Sequence, residues 1–195
     1  STVDELYENC RAHGKKLGDG IELGTRDRGQ DMWPKMKSDP ERVRKDLLHA
    51  LSFMYQTDLP KTAGARLTLE QKRHGMFPRQ YPSAWSNRDR ELDNDNRPYN
   101  DSPIWLIDSL IFYVRQTGDV SILQERVSTV RLTNPSNPER SGMIDSKHQR
   151  SIIEVVKQVF ECYKRHCDDS PYGMVQILYG DWCDPVDMFR TSIVG

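Results

Sequence analysis

Apolar residues recur at helical spacing in three segments, and these give the chain its first outline. In "SDPERVRKDLLHALSFMYQ", Val43, Leu47, Leu48, Leu51 and Met54 form one stripe; Ser38 or Asp39 can accept backbone N–H bonds ahead of it, and Pro40 suits the first helical position. In "SPIWLIDSLIFYVRQTGD", Pro103 opens a helix whose apolar face carries Ile104, Ile107, Leu110, Ile111 and Val114, and Gly118 closes it. The third, "SKHQRSIIEVVKQVFECYKRH", sets Ile152, Val156, Val159, Phe160 and Tyr163 on one side and ends in basic residues that suit a helix C-terminus.

Between these segments the pattern dissolves into stretches rich in Pro, Gly, Asn, Asp and Arg, chiefly Leu59–Asn100 and Leu132–Ser146. Loops of that length in a compact domain are more often functional than decorative. Alternation of the strand type is not sustained beyond about four or five residues, with "GMVQILYG" at Gly173–Gly180 a short candidate. The expectation is a single all-α domain of helices joined by long, polar, aromatic-bearing loops.

Composition narrows the function classes. The 195 residues are 36% hydrophobic and 29% charged, which suits one packed soluble domain. A net charge of −1 with mixed signs throughout argues against a nucleic-acid partner. The chain shows no membrane-spanning run, and "STVDELYENC" lacks the features of a signal peptide, so the cytoplasm is the expected location. Cys10, Cys162, Cys167 and Cys183 form no CxxC pair and are read as reduced thiols; neither a metal nor an organic cofactor is expected.

Three polar clusters interrupt the apolar pattern and combine carboxylates with aromatic residues or glycine: "LGTRDRGQDMW" at Leu23–Trp33, "YNDSPIW" at Tyr99–Trp105 and "YGDWCDPVDMF" at Tyr179–Phe189. Convergent Asp, Arg, Gln and Trp side chains are what a sugar site requires, since carboxylates and guanidinium groups bond hydroxyls in pairs and indole faces cover C–H faces. Each cluster also has a plain structural reading. Asp27 and Asp31 can cap or pair with Arg26 and Arg28, Asp101 can be an N-cap, and Asp181 and Asp184 can form a turn before Pro185.

Taken in order, the clusters resemble a known family. "RDRGQD" at Arg26–Asp31 resembles the R-D-x-x-Q-D motif of the glycoside phosphorylases of glycoside hydrolase family 94. "YNDSPIWL" is similar to that family's W-S-D-D-x-x-W-L, and "YGDWCDP" to its G-D-W-N-D-G. Tyr99 stands for a tryptophan, Ser102 for the second Asp, and Cys183 with Asp184-Pro185 for Asn and Asp-Gly. These departures point toward the neighbouring β-1,3-glucan phosphorylases of family 149.

The resemblance implies an (α/α)6 barrel and inverting phosphorolysis of a β-linked gluco-oligosaccharide, with inorganic phosphate as co-substrate and glucose 1-phosphate as product. Asp101 is then the general acid. Tyr99 lies against the reactive sugar, Arg26 and Asp27 bond its hydroxyls, and Gln30, Asp31, Trp105, Asp181, Trp182 and Asp184 complete the substrate-binding set. Inverting hydrolysis needs two carboxyl groups roughly 6.5 to 9.5 Å apart, whereas phosphate is already an anion and needs only the acid. The alternatives are an inverting hydrolase with Asp181 or Asp184 as base, and a non-catalytic sugar-binding module. A helix N-terminus favours the charged carboxylate, which opposes proton donation by Asp101; burial or nearby anions must oppose that in turn. A twelve-helix barrel takes on the order of 350 residues, so the chain is expected to supply about half of one, with the rest of the barrel, or a homo-oligomer, as partner.

Overall fold

In the computed structural model, the described residues are 5, 16–17, 20–62, 64–93, 95–97, 99–137, 141–167 and 171–175. The elements run β1 (Lys16–Leu17), β2 (Gly20–Gly24), α1 (Thr25–Asp31), a 3-10 turn (Trp33–Lys35), α2 (Pro40–Leu51), α3 (Leu69–Lys72), β3 (Gln80–Pro82), α4 (Ser102–Thr117), a second 3-10 turn (Val120–Gln124), β4 (Arg126–Leu132), β5 (Met143–Ser151) and α5 (Ile152–Arg165).

The three expected helices are present as α2, α4 and α5. Asp39 caps α2 by accepting the Arg42 amide at 3.1 Å, with Pro40 in its first turn. Gly118 ends α4 in the left-handed conformation, at φ 73°. The helix α5 starts later than the Ser146 expected, at Ile152. There Ser151 and Glu154 satisfy each other's amides in a capping box, and the preceding residues are paired as β5.

Two apolar faces are rotated from the expected ones. On α4 the buried residues are Leu106, Ile107, Ser109, Leu110 and Tyr113, while Ile104 and Ile111 point outward. On α5 the buried set is Ile152, Val155, Val159 and Cys162, and Phe160 is exposed. In both cases the expected and observed faces overlap: Ile107 and Leu110 on α4 and Ile152 and Val159 on α5 are buried as expected, Val114, Val156 and Tyr163 pack against the core, and the centre of the face is displaced by less than one residue's turn about the helix.

The all-α expectation is not met. Strands β1, β2 and β3 form an antiparallel sheet with Leu23 opposite Tyr81, and β4 and β5 form a hairpin in which Leu132 faces Met143. The hairpin escapes notice in the sequence because its register shifts between Ser128 and Val130 and because β5 is largely polar. Its inward polar groups have partners: Asp145 accepts from Arg88 at 2.8 Å, and Thr129 bonds Ser146 at 2.7 Å. Lys147 takes a φ of 62°, which kinks the strand. Only Gly173–Val175 of the "GMVQILYG" candidate is described, with Val175 in an isolated bridge to Cys167.

A single core joins these parts. Met32, Met36, Val43, Leu47, Leu51, Phe53 and Met54 pack with Leu106, Leu110, Ile122, Val130, Ile152 and Val155, all essentially buried. Phe53 stacks on both Tyr81 and Trp85 at the edge of this core. No helix among the described residues is long and apolar enough to cross a membrane. Cys162 and Cys167 are free thiols; Cys10 and Cys183 lie outside the described residues.

Candidate active site

The first two polar clusters, 75 residues apart between Arg26 and Asp101, meet in space. Strand β2 delivers the chain into α1 against the segment before β3: the Thr25 amide donates to the Arg79 carbonyl at 2.9 Å and the Thr25 hydroxyl to that of Pro78 at 2.6 Å. Helix α1 then lies along the first half of α4. A Cβ on Gly29 would fall 3.0 Å from the Trp105 backbone, so only glycine lets the two helices approach this closely. Ser109 donates to the Gly29 carbonyl and accepts from the Trp33 indole at 2.8 Å, which fixes their rotation.

At the head of α4 the role of Asp101 becomes specific. Its side chain makes no capping bond. Its own backbone is already helical, at φ −80° and ψ −23°, and its carbonyl accepts the Ile104 amide at 3.0 Å. The carboxylate instead receives two side-chain donors on one oxygen, Oδ2: the Trp105 indole at 3.1 Å and Arg26 Nε at 3.1 Å. Asp101 and Trp105 are one helical turn apart, the spacing that makes this contact local. The Arg26 and Asp101 side chains are 10% and 16% exposed, a level at which their attraction is less screened than on an open surface.

Tyr99 lies beside them, 1% exposed. Three guanidinium groups face its ring: Arg79 at 4.9 Å from the centroid, Arg26 at 5.5 Å and Arg97 at 5.6 Å. The ring that the resemblance sets against the sugar is therefore covered here by cations. Asp95 binds two of them, accepting from Arg97 at 2.8 Å and Arg79 at 3.1 Å. Burial works against ionisation of Asp95, but these bonds outweigh it and hold its carboxyl below the usual range. Three arginines thus face Tyr99 and two aspartates pair with them, a charge-dense cluster of the kind that binds polyhydroxyl or anionic ligands.

Of the other expected residues, Asp27 is exposed at the outer side of α1, and Gln30 and Asp31 are half-buried on the same helix. Asp181, Trp182 and Asp184 lie outside the described residues. Arg79, Arg97 and Asp95 were not among the expected set, although Arg97 sits two residues before Tyr99. Arg28, a pairing candidate for Asp27 or Asp31 in the sequence, is 2% exposed and bound instead to Asp46 on α2, which anchors α1 to that helix. No local pattern distinguishes that buried arginine from its exposed neighbour Asp27. Among the described residues, no group of three or more His, Cys, Asp or Glu side chains gathers around a metal-sized position.

The comparisons with known proteins agree with this picture at the level of the family. No curated protein matches the chain. Residues 11–191, nearly the whole sequence, match the family described as "Glycosyl hydrolase 94 superfamily, catalytic domain". The chain belongs to that superfamily, whose catalytic domain is an (α/α)6 barrel acting on glycosides.

Proposed function

We propose that the protein is an inverting phosphorylase of a β-linked gluco-oligosaccharide, with Asp101 as general acid and inorganic phosphate as nucleophile. One observation carries the reading: the helix-heading carboxylate is not used as a cap but is held from both sides by Trp105 and Arg26. A purely structural aspartate at this position would bond the amides of the next turn.

Arg26 supplies the counterpart. Its guanidinium pairs with Asp101 in the sugar-free chain. A sugar hydroxyl that takes over part of the guanidinium loosens the pair and leaves the carboxyl able to turn toward the scissile oxygen. Phosphate attacks the anomeric carbon from the opposite face, the glycosidic bond breaks toward the leaving oxygen, and Asp101 delivers its proton there. The linkage nearest the motif departures is β-1,3, and the cytoplasm is the proposed location. The chain contributes part of a barrel whose remaining helices and phosphate-holding residues come from the rest of the protein.

The test is incubation of the full-length protein, with the rest of the barrel present, with a panel of β-gluco-oligosaccharides, with and without phosphate. Glucose 1-phosphate formed only with phosphate is the expected result. Free sugar released without phosphate would replace this reading with the inverting hydrolase, and binding without turnover would replace it with a sugar-binding module.

A further inference from the structure

The turn that carries Asp101 is held not only by its own helix but by α5, some sixty residues further along the chain. The Tyr163 hydroxyl donates to the Asn100 carbonyl, immediately before Asp101. One residue on, the Asp101 carbonyl accepts the Ile104 amide at 3.0 Å, which closes the first turn of α4. Burial pushes the phenol well above its ordinary range, so it remains a neutral donor at every working pH. Tyr163 therefore ties α5 to the residue from which the Asp101–Ile104 turn springs. Asn100 is itself buried, and Tyr163 packs its ring against the core.

We propose that Tyr163 is a positioning residue for Asp101: it fixes the first turn of α4 so that the carboxyl keeps its orientation as Arg26 releases it toward substrate. The inference rests on the phosphorolysis reading for its catalytic consequence, but its geometric content does not. The Arg26 pair and the Trp105 bond hold the carboxyl directly, and the first of these loosens on substrate binding. Tyr163 holds the backbone beneath it and takes no part in sugar recognition, so its grip persists through the reaction. A displacement of about 1 Å in a reacting group can cost ~100-fold in rate.

Tyr163→Phe removes the hydroxyl and leaves the ring that fills the core. In the full-length protein, kcat on a β-gluco-oligosaccharide should fall on the order of 10- to 100-fold with little change in KM. On β-glucosyl fluoride, whose leaving group needs little protonation, the rate should stay within about threefold of wild type. Hydrogen exchange read by NMR at the Trp105 indole and the Ile104 amide should speed up in the variant, because both report the same turn. An equal fall on both substrates would mean a general structural role and overturn the proposal, as would exchange unchanged at both sites. If the wild-type full-length protein turns over neither substrate, the phosphorolysis reading fails, and the exchange measurement alone decides whether Tyr163 holds the turn.

Discussion

At the scale of single residues, the chemistry divides between groups that hold and a group that reacts. Asp101→Asn keeps the shape of the side chain and an acceptor for the Trp105 indole but removes the proton. Turnover of the oligosaccharide should drop by about 10² to 10⁴, the usual worth of general acid assistance, while sugar binding measured by calorimetry persists. Wild-type turnover in this variant would remove Asp101 from the mechanism. Two buried histidines, His74 and His166, and the half-buried His49 set a different, pH-dependent property. Burial lowers His49, His166 and His74 from the ordinary 6.5, the last to about 4, where its Nδ1 accepts the Thr57 amide at 3.2 Å. Below pH 6.5 the unfolded chain binds protons that the folded chain refuses, so their contribution is complete above 6.5 and is lost as pH falls toward about 4. Denaturant midpoints measured from pH 7.5 downward should decline from near 6.5, ahead of the carboxylates. His74→Asn, which retains an acceptor for Thr57, should flatten that decline; an unaltered slope would count against it.

At the scale of elements, the contact of α1 with α4 is the joint on which the site depends. Gly29→Ala puts a methyl group 3.0 Å from the Trp105 backbone and Cβ, atoms of a helix that cannot swing away. Overpacking of this kind costs about 1–3 kcal/mol, offset by about 1 kcal/mol of better helix propensity. The unfolding midpoint should therefore drop by a few degrees, and oligosaccharide turnover should fall with it; a more stable, fully active variant would disprove the close approach. Much of this joint was readable in the sequence. The two motifs were visible, and α2, α4 and α5 followed from apolar spacing and from Pro40, Pro103 and Gly118. The rotation of α4 was not readable, because Ser109 and Tyr113 are buried for their bonds rather than their hydropathy. Nor was β5, whose inward positions are Asp145 and Ser146. The guanidinium ring around Tyr99 depends on Arg79 and Arg97 arriving from separate loops, which no local spacing encodes.

For the whole molecule, surface apolarity and long-range closure have distinct consequences. Ile104 and Ile111, seven residues apart on one face of α4, are 54% and 44% exposed, with Trp33 at 38% and Phe160 at 56% elsewhere. In a barrel of paired helices such faces are covered by neighbours. The 195 residues made alone should therefore bind an apolar dye, associate as concentration rises in size-exclusion chromatography, and show no phosphorolysis. A monomeric, cooperatively unfolding and active preparation would refute the barrel reading. The Arg26–Asp101 pair carries a further consequence, one of chain connectivity. Between its partners the backbone passes through a surface stretch in which Asp58, Pro60, Lys61, Thr62, Gly64 and Arg66 are all exposed. One half of the pair thus sits in an amino-terminal piece with α1 and α2, the other in a carboxy-terminal piece with α4, β4, β5 and α5, and the core is shared by both. Cleavage after Lys61 or Arg66 should leave the pieces co-eluting under native conditions and separating only in denaturant. The protein is in this sense already divisible: two polypeptides expressed apart and mixed should rebuild the Asp101 turn between them.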